Sequence, residues 1–201
     1  PADKRLARYA TAWLAAPGVA GGVDALLDPA RRAAVWAASD FHAQACIRHP
    51  DLVAELGEAG LLDRAYTEGE LDRRLAARLA EVVDEPALAS ALRRFRTVEM
   101  LRIVWRDLGG LAELDETLED LSALADACIR QALGQGHRSP NAVKFHTRCG
   151  MGPCQGRQCA DSVAQLIAAE TGIKPGDVEP YRVRPPVKPV TIAQMAELEE
   201  S

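Results

Sequence analysis

Apolar residues recur three and four positions apart through most of this chain, the spacing that places them on one face of an α-helix. Residues 3–16 open the pattern with Leu6, Tyr9, Ala10, Trp13 and Leu14, and Pro17-Gly18 stops it. A short helical stretch at 23–27 precedes Asp28-Pro29, which opens the next helix because proline's missing N–H costs nothing in a first turn. That helix runs to Ser39 or through to His49, and Pro50-Asp51 restarts the chain into a short helix ending at Gly57 or Gly60. Residues 68–83 are amphipathic, with Leu71, Leu75, Leu79 and Val82 on one face and Arg73, Arg74 and Arg78 off it, toward water. From Glu85 to Leu108 the apolar surface (Leu88, Leu92, Phe95, Val98, Leu101, Val104, Trp105) is wider than one stripe, which predicts a helix packed on two sides. Residues 114–133 follow, with Leu118, Leu121, Leu124, Ala125, Cys128 and Ile129 expected inward, and Gly134-Gln135-Gly136 closes them.

No stretch of the first 134 residues alternates with period two, so no sheet is expected there. The predicted fold class is mostly α: a helical bundle over residues 1–134 and a small helical, loop-rich appendage over 135–201. In the appendage the pattern predicts a helix over 155–171 ended by Gly172, an extended segment with three prolines over 181–190, and a final short helix capped by Thr191.

Charge and composition narrow the function classes. The net charge of −5 over 201 residues argues against general nucleic-acid affinity. The acid sits in the bundle, because residues 135–201 hold eight Lys/Arg against seven Asp/Glu. No apolar run approaches the ~20 residues of a membrane span, and charges punctuate the first thirty residues, so no secretory leader is legible. Five cysteines, an odd number, fit free thiols in a reducing cytoplasm.

Three of those cysteines fall in Arg148-Cys149-Gly150-Met151-Gly152-Pro153-Cys154-Gln155-Gly156-Arg157-Gln158-Cys159. Gly150, Gly152 and Pro153 shape a turn that aims thiolates and N–H groups at one point, the arrangement an iron–sulfur cluster or zinc ion takes. Cys149 and Cys154 are the leading metal candidates, expected at a helix N-terminus that favours their thiolates. Cys159 shares a helix face with Val163 and Leu166 and reads as a small apolar residue before it reads as a ligand. Cys46 and Cys128 sit on apolar helical faces and read as core, Cys128 being a further source of sulfur. His137 and His146 could complete a zinc site with Cys149 and Cys154, through His146-x-x-Cys149-x4-Cys154. Arg93, Arg94, Arg96, Arg102 and Arg106 suggest an anion site or, with Glu99 and Asp107 interleaved, a solvated, paired face. No catalytic triad, nucleophile elbow or Walker loop is present.

Two resemblances emerge from longer strings. Asn141-Ala-Val-Lys-Phe-His-Thr-Arg-Cys-Gly-Met-Gly-Pro-Cys-Gln-Gly-Arg-Gln-Cys159, with Arg184-Pro-Pro-Val-Lys-Pro-Val190, resembles the C-terminal end of the opine oxidase and hydrogen cyanide synthase flavoproteins, over roughly residues 129–198. That family carries a [2Fe-2S] domain like bacterioferritin-associated ferredoxin, in which Cys149 and Cys154 would be the second ligand pair. The first pair, an upstream Cys-x-Cys, has no counterpart here, where Cys128 stands alone, and the Gly-x-Gly-x-x-Gly of a flavin or NAD site is absent. Ser39-Asp40-Phe41, His49-Pro50-Asp51-Leu52, Arg93-Arg94-Phe95-Arg96, Glu99-Met-Leu-Arg-Ile-Val-Trp-Arg-Asp-Leu108 and Glu116-Thr117-Leu118 with Leu121-Ser122 resemble the N-terminal helical region of glutamine synthetase adenylyltransferase, over roughly residues 1–133. That family's catalytic form, Gly-Gly-x-Glu-(Leu/Phe)-Asn-x-x-Ser-Asp-x-Asp, whose acids hold metal–ATP, does not occur in this sequence.

The chain therefore reads as a composite joined at about Cys128–Arg138. The expected function is a non-catalytic helical or interaction module whose [2Fe-2S] ligand set is incomplete. The alternatives are an electron-transfer subunit whose cluster a partner or Cys128 completes, and a part of glutamine synthetase adenylyltransferase. The resemblances imply a flavoprotein subunit or glutamine synthetase as partner.

Overall fold

The structure, a computed structural model, describes residues 2–19, 22–182 and 191–192. The proline-rich segment and the final helix expected after Thr191 lie outside the described residues. Among the described residues the regular structure is all helical: α1 (Ala2–Leu14), α2 (Pro29–Ala38), α3 (Asp40–Arg48), α4 (Pro50–Glu58), α5 (Glu70–Leu79), α6 (Glu85–Leu108), α7 (Leu114–Gly134), α8 (Pro140–Thr147) and α9 (Ala160–Thr171), with short 3-10 turns at Val23–Leu26 and Pro175–Asp177. The mostly α expectation holds. No helix among the described residues is long and apolar enough to cross a membrane.

Local chemistry sets most boundaries. Asp28 accepts from the Arg31 N–H and Pro29 opens α2. Ser39 both ends α2 and caps α3, so of the two expected ends, Ser39 and His49, the helix takes the first. Asp84 caps α6 through the Ala87 N–H at 2.8 Å, and Gly109 ends it. Each side chain that accepts one of these free N–H groups stabilises its helix by about 1 kcal/mol.

The core has three parts. Tyr9, Trp13, Trp36, Leu52, Leu56, Val98, Leu101 and Trp105 form the first, with Trp13 edge-on to Trp36 at 5.9 Å. Leu71, Leu75, Leu88, Leu92, Phe95, Leu124 and Cys128 form the second. α6 supplies both, as its two-sided pattern predicts. Burying each of the larger side chains contributes roughly 1.5–3 kcal/mol. The third cluster, Ile129, Ala132, Leu133, Val143, Val163 and Ile167, seats α8 and α9 against the last turns of α7. α7 thus runs from the bundle into the appendage.

Three expectations are corrected. Leu118, Leu121 and Ala125, placed inward from spacing, are exposed, the two leucines at 52% and 37%. The side of α7 that meets α6 is Glu116, Thr117, Asp120, Leu124, Ala127 and Cys128, because buried arginines of α6 grip Glu116 and Asp120 and so set the rotation of the helix. Arg74 and Arg78 do not stand in water: Arg74 reaches buried Glu99 at 3.2 Å and Arg78 pairs with Glu55. The helix expected over 155–171 begins only at Ala160, because Gln155 and Gly156 take left-handed backbone angles (φ 53° and 82°) that no α-helix contains. α8, which no apolar period announces, is opened by Ser139 accepting from Ala142 N–H and by Pro140 in the first turn.

Candidate functional site

The cysteine loop follows α8. Arg148 ends that helix in the left-handed region (φ 60°), and the Cys149 N–H donates to Thr147 Oγ1 at 3.1 Å. Tight turns then carry the chain to α9: Met151 N–H to Arg148 O, Gln155 N–H to Gly152 O and Arg157 N–H to Cys154 O. Tyr181 closes over them. A Cβ on Gly150 would lie 2.9 Å from Tyr181 Cζ and one on Gly156 would lie 3.0 Å from Tyr181 Cδ2, so the ring occupies space that only glycines leave. Asn141 anchors the strap that brings Tyr181 in, donating to Pro180 O at 3.2 Å and accepting from the Arg182 N–H at 2.9 Å.

The three thiols of the loop are not equivalent. Cys149 is half-buried, and burial first, then the neighbouring Cys159 thiol, raises its pKa. Both sulfurs face the Tyr181 hydroxyl, itself raised by burial and by Cys149. Cys154 stands at the loop surface, and the backbone N–H groups of Gln158 and Gly156 lower its pKa. The two expected ligands of the loop thus differ, the Cys154 thiol being shifted down and the Cys149 thiol up. Cys128 is buried on α7, and burial pushes its thiol up to about 12. It shares with Cys149, Thr147 and Arg96 the wall of a cavity of about 170 Å³. Cys46 is also pushed up to about 12 by burial. A [2Fe-2S] centre takes four protein ligands, normally thiolates. Among the described residues no three cysteine sulfurs lie within 4.8 Å of one another.

The histidines sit elsewhere than beside the loop thiols. His146 is buried in the last turn of α8, with Nε2 3.3 Å from Glu85 Oε1 and its ring stacked on His137 at 3.9 Å. The tetrahedral set of His137, His146, Cys149 and Cys154 is not assembled among the described residues.

The arginines of α6 divide. Arg94 pairs with Asp51 at the surface. Arg102 and Arg106 are buried, at 0% and 3% exposure. The Arg102 guanidinium donates to Leu61 O, Arg64 O and Asp120 (2.6 Å), and its Cζ lies 3.5 Å from the Tyr66 ring centre. Arg106 donates to Glu116 at 3.0 Å and to Leu111 O at 3.0 Å. Glu99, at 0% exposure, accepts from the Tyr66 hydroxyl at 2.7 Å and from Arg74 at 3.2 Å. Burial raises the Glu99 carboxyl, and Tyr66 and Arg74 oppose that. The donors of Arg102 and Arg106 are taken by carboxylates and carbonyls, while Arg96 lines the cavity beside Cys128 and Cys149.

Comparison with known proteins gives two overlapping similarities. Residues 30–158 match the family model described as glutamate-ammonia ligase adenylyltransferase, and residues 119–198 match the sarcosine oxidase A3 domain. The bifunctional glutamine synthetase adenylyltransferase/adenylyl-removing enzyme of Pseudomonas aeruginosa is 51% identical over 104 residues, 52% of this chain and 11% of that protein. Its counterpart in Thioalkalivibrio sulfidiphilus is 43% identical over 135 residues, 62% of this chain and 14% of that protein. An opine oxidase subunit of Rhizobium meliloti is 49% identical over 70 residues, 35% of this chain and 13% of that protein. The chain therefore spans little more than a tenth of the curated relatives' lengths, and it joins segments similar to two kinds of protein. No solved structure matches it.

Proposed function

Since the chain belongs, through residues 30–158, to the glutamate-ammonia ligase adenylyltransferase family, we propose that it serves as a non-catalytic helical module of such a protein, with half of a [2Fe-2S] ligand set on its C-terminal side. The observation that carries this reading is the fate of the α6 arginines. Arg102 and Arg106 spend their hydrogen bonds on Asp120, Glu116 and the carbonyls of Leu61, Leu62, Arg64 and Leu111. They join α6 to α7 and to the loop before α5, and leave no buried donor for a triphosphate. The acidic motif that would hold Mg²⁺ and ATP is absent from the sequence. Incubated with labelled ATP, Mg²⁺ and glutamine synthetase, this chain is expected to leave the synthetase unlabelled. Label that appears on the synthetase only when the chain is added would refute the reading.

A second reading, an electron-transfer subunit whose cluster a partner completes, is favoured by Cys154. Backbone N–H groups around its sulfur lower its pKa, and it stands at the loop surface, where a second chain could reach it. On this reading a cluster forms only when a thiol-supplying flavoprotein partner is added.

A further inference from the structure

Glu85, His137 and His146 come from three elements and converge. Asp84 caps α6 and fixes Glu85 as its first helical residue. After α7 the chain turns sharply at Gly136 (φ 92°), with the His137 N–H donating to Ala132 O at 3.2 Å, which holds the histidine against the bundle. His146 lies in the last turn of α8. One donor atom from each of the three side chains lies within 4.8 Å of the other two, and this is the one such group of three among the described residues. The His146 ring is buried, and its Nδ1 has no hydrogen-bond partner. A cavity of about 280 Å³, lined by Glu85, His137, Asp84, Leu79, Val82 and Leu88, opens beside the group.

We propose that Glu85, His137 and His146 form a binding site for a divalent transition metal of the zinc type, with its remaining coordination position toward that cavity. Two imidazoles and one carboxylate are a donor set that zinc accepts in three-ligand sites, whereas calcium and magnesium take mostly oxygen. Bonds of about 2.0–2.2 Å put the ligand atoms of a tetrahedral site about 3.3–3.6 Å apart. The Glu85–His146 separation of 3.3 Å already has that value. Glu85 is largely exposed and His137 half-buried, so both side chains can swing the remaining fraction of the distance. His146 is buried and its ring is stacked on His137 at 3.9 Å, so packing fixes its position. Metal here would tie the start of α6 to the α7–α8 turn, and its binding energy would add to the stability of the fold. None of these ligands belongs to the cysteine loop.

The test is a Co²⁺ titration of the reduced, intact chain, followed in the visible and near ultraviolet, with displacement by Zn²⁺. The proposal expects one equivalent bound, ligand-field bands without thiolate charge transfer, and a melting temperature raised by Zn²⁺. His137→Ala, a half-exposed position that leaves the His146–Glu85 contact in place, should weaken binding at least tenfold and abolish the shift in melting. Glu85→Gln should weaken binding with the melting of the metal-free protein little changed. Absence of saturable binding at micromolar metal, binding that survives His137→Ala, or any sulfur charge transfer would overturn the proposal. The last result would place the metal on the cysteine loop instead.

Discussion

Arg102→Met is expected to cost the fold about 3–5 kcal/mol, the cost of breaking a buried ion pair from one side. The side chain is fully buried and makes three polar contacts, to Asp120, Leu61 O and Arg64 O. Methionine keeps most of the volume and none of the donors. Asp120 then faces α6 without its cation, and two carbonyls lose their partner. Glu99 also loses a neighbouring positive charge, leaving Arg74 to balance it alone. Glu99→Gln should itself destabilise, because Arg74 and Arg102 would then lose the carboxylate between them. The double variant should be less destabilised than the two single losses added, since the residues share one network. Urea unfolding of the three variants measures this. A loss below about 1 kcal/mol for Arg102→Met would mean that this arginine is not a structural clamp, and would reopen the anion-site reading.

Acidification from neutrality should destabilise the protein through His42 before most carboxylates titrate. His42 is buried between Trp36 and Trp105. Its Nδ1 accepts from Trp36 Nε1–H at 3.1 Å, and its other nitrogen is satisfied by the Leu101 backbone, so the neutral ring is fully paired. Burial lowers its pKa from 6.5 to about 4, opposed by the Leu101 contact. The unfolded chain therefore binds the proton more tightly than the folded one. Stability is unaffected above about pH 6.5 and falls progressively as the pH drops toward 4, by about 3 kcal/mol in total. His42→Gln, which cannot titrate, should lose this slope while remaining less stable than the parent at pH 7. Denaturation midpoints at pH 7, 6, 5 and 4.5 for both proteins decide the matter. Parallel curves would show that His42 is not the group responsible.

The sequence makes some of this legible and hides the rest for physical reasons. α6 can be read to its ends, because Asp84, Pro86 and Gly109 are local signals and its two apolar sides are each continuous. The start of α2 is legible for the same reason, in Asp28-Pro29. Burial of Arg102 and Arg106 is not, since the residues that neutralise them, Asp120 and Glu116, lie on another helix. From spacing alone a run of arginines with interleaved acids reads as a solvated face. That same pairing rotates α7, which is why spacing misplaces Leu118 and Leu121. The cysteine loop is visible from its glycines, but the inequality of its thiols comes from the burial of Cys149 beside Cys159, under a Tyr181 ring that arrives from beyond α9. Ser139-Pro140 is a helix-start signal from which α8 could be read. Nothing local relates Glu85 to His137 and His146, which only the packing of α6 against the α7–α8 turn brings together.

That the cysteine loop is half of a site is tested most directly by anaerobic reconstitution of the purified chain with iron and sulfide, followed by its visible spectrum and by assay of bound iron and acid-labile sulfide. With Cys149 turned toward Cys159 and Tyr181, and Cys154 at the surface, the expected result is no stoichiometric iron or sulfide and no cluster absorption. A stable absorbing species with stoichiometric iron and sulfide on the single chain, lost in Cys149→Ser, would contradict this and make the chain an electron carrier in its own right.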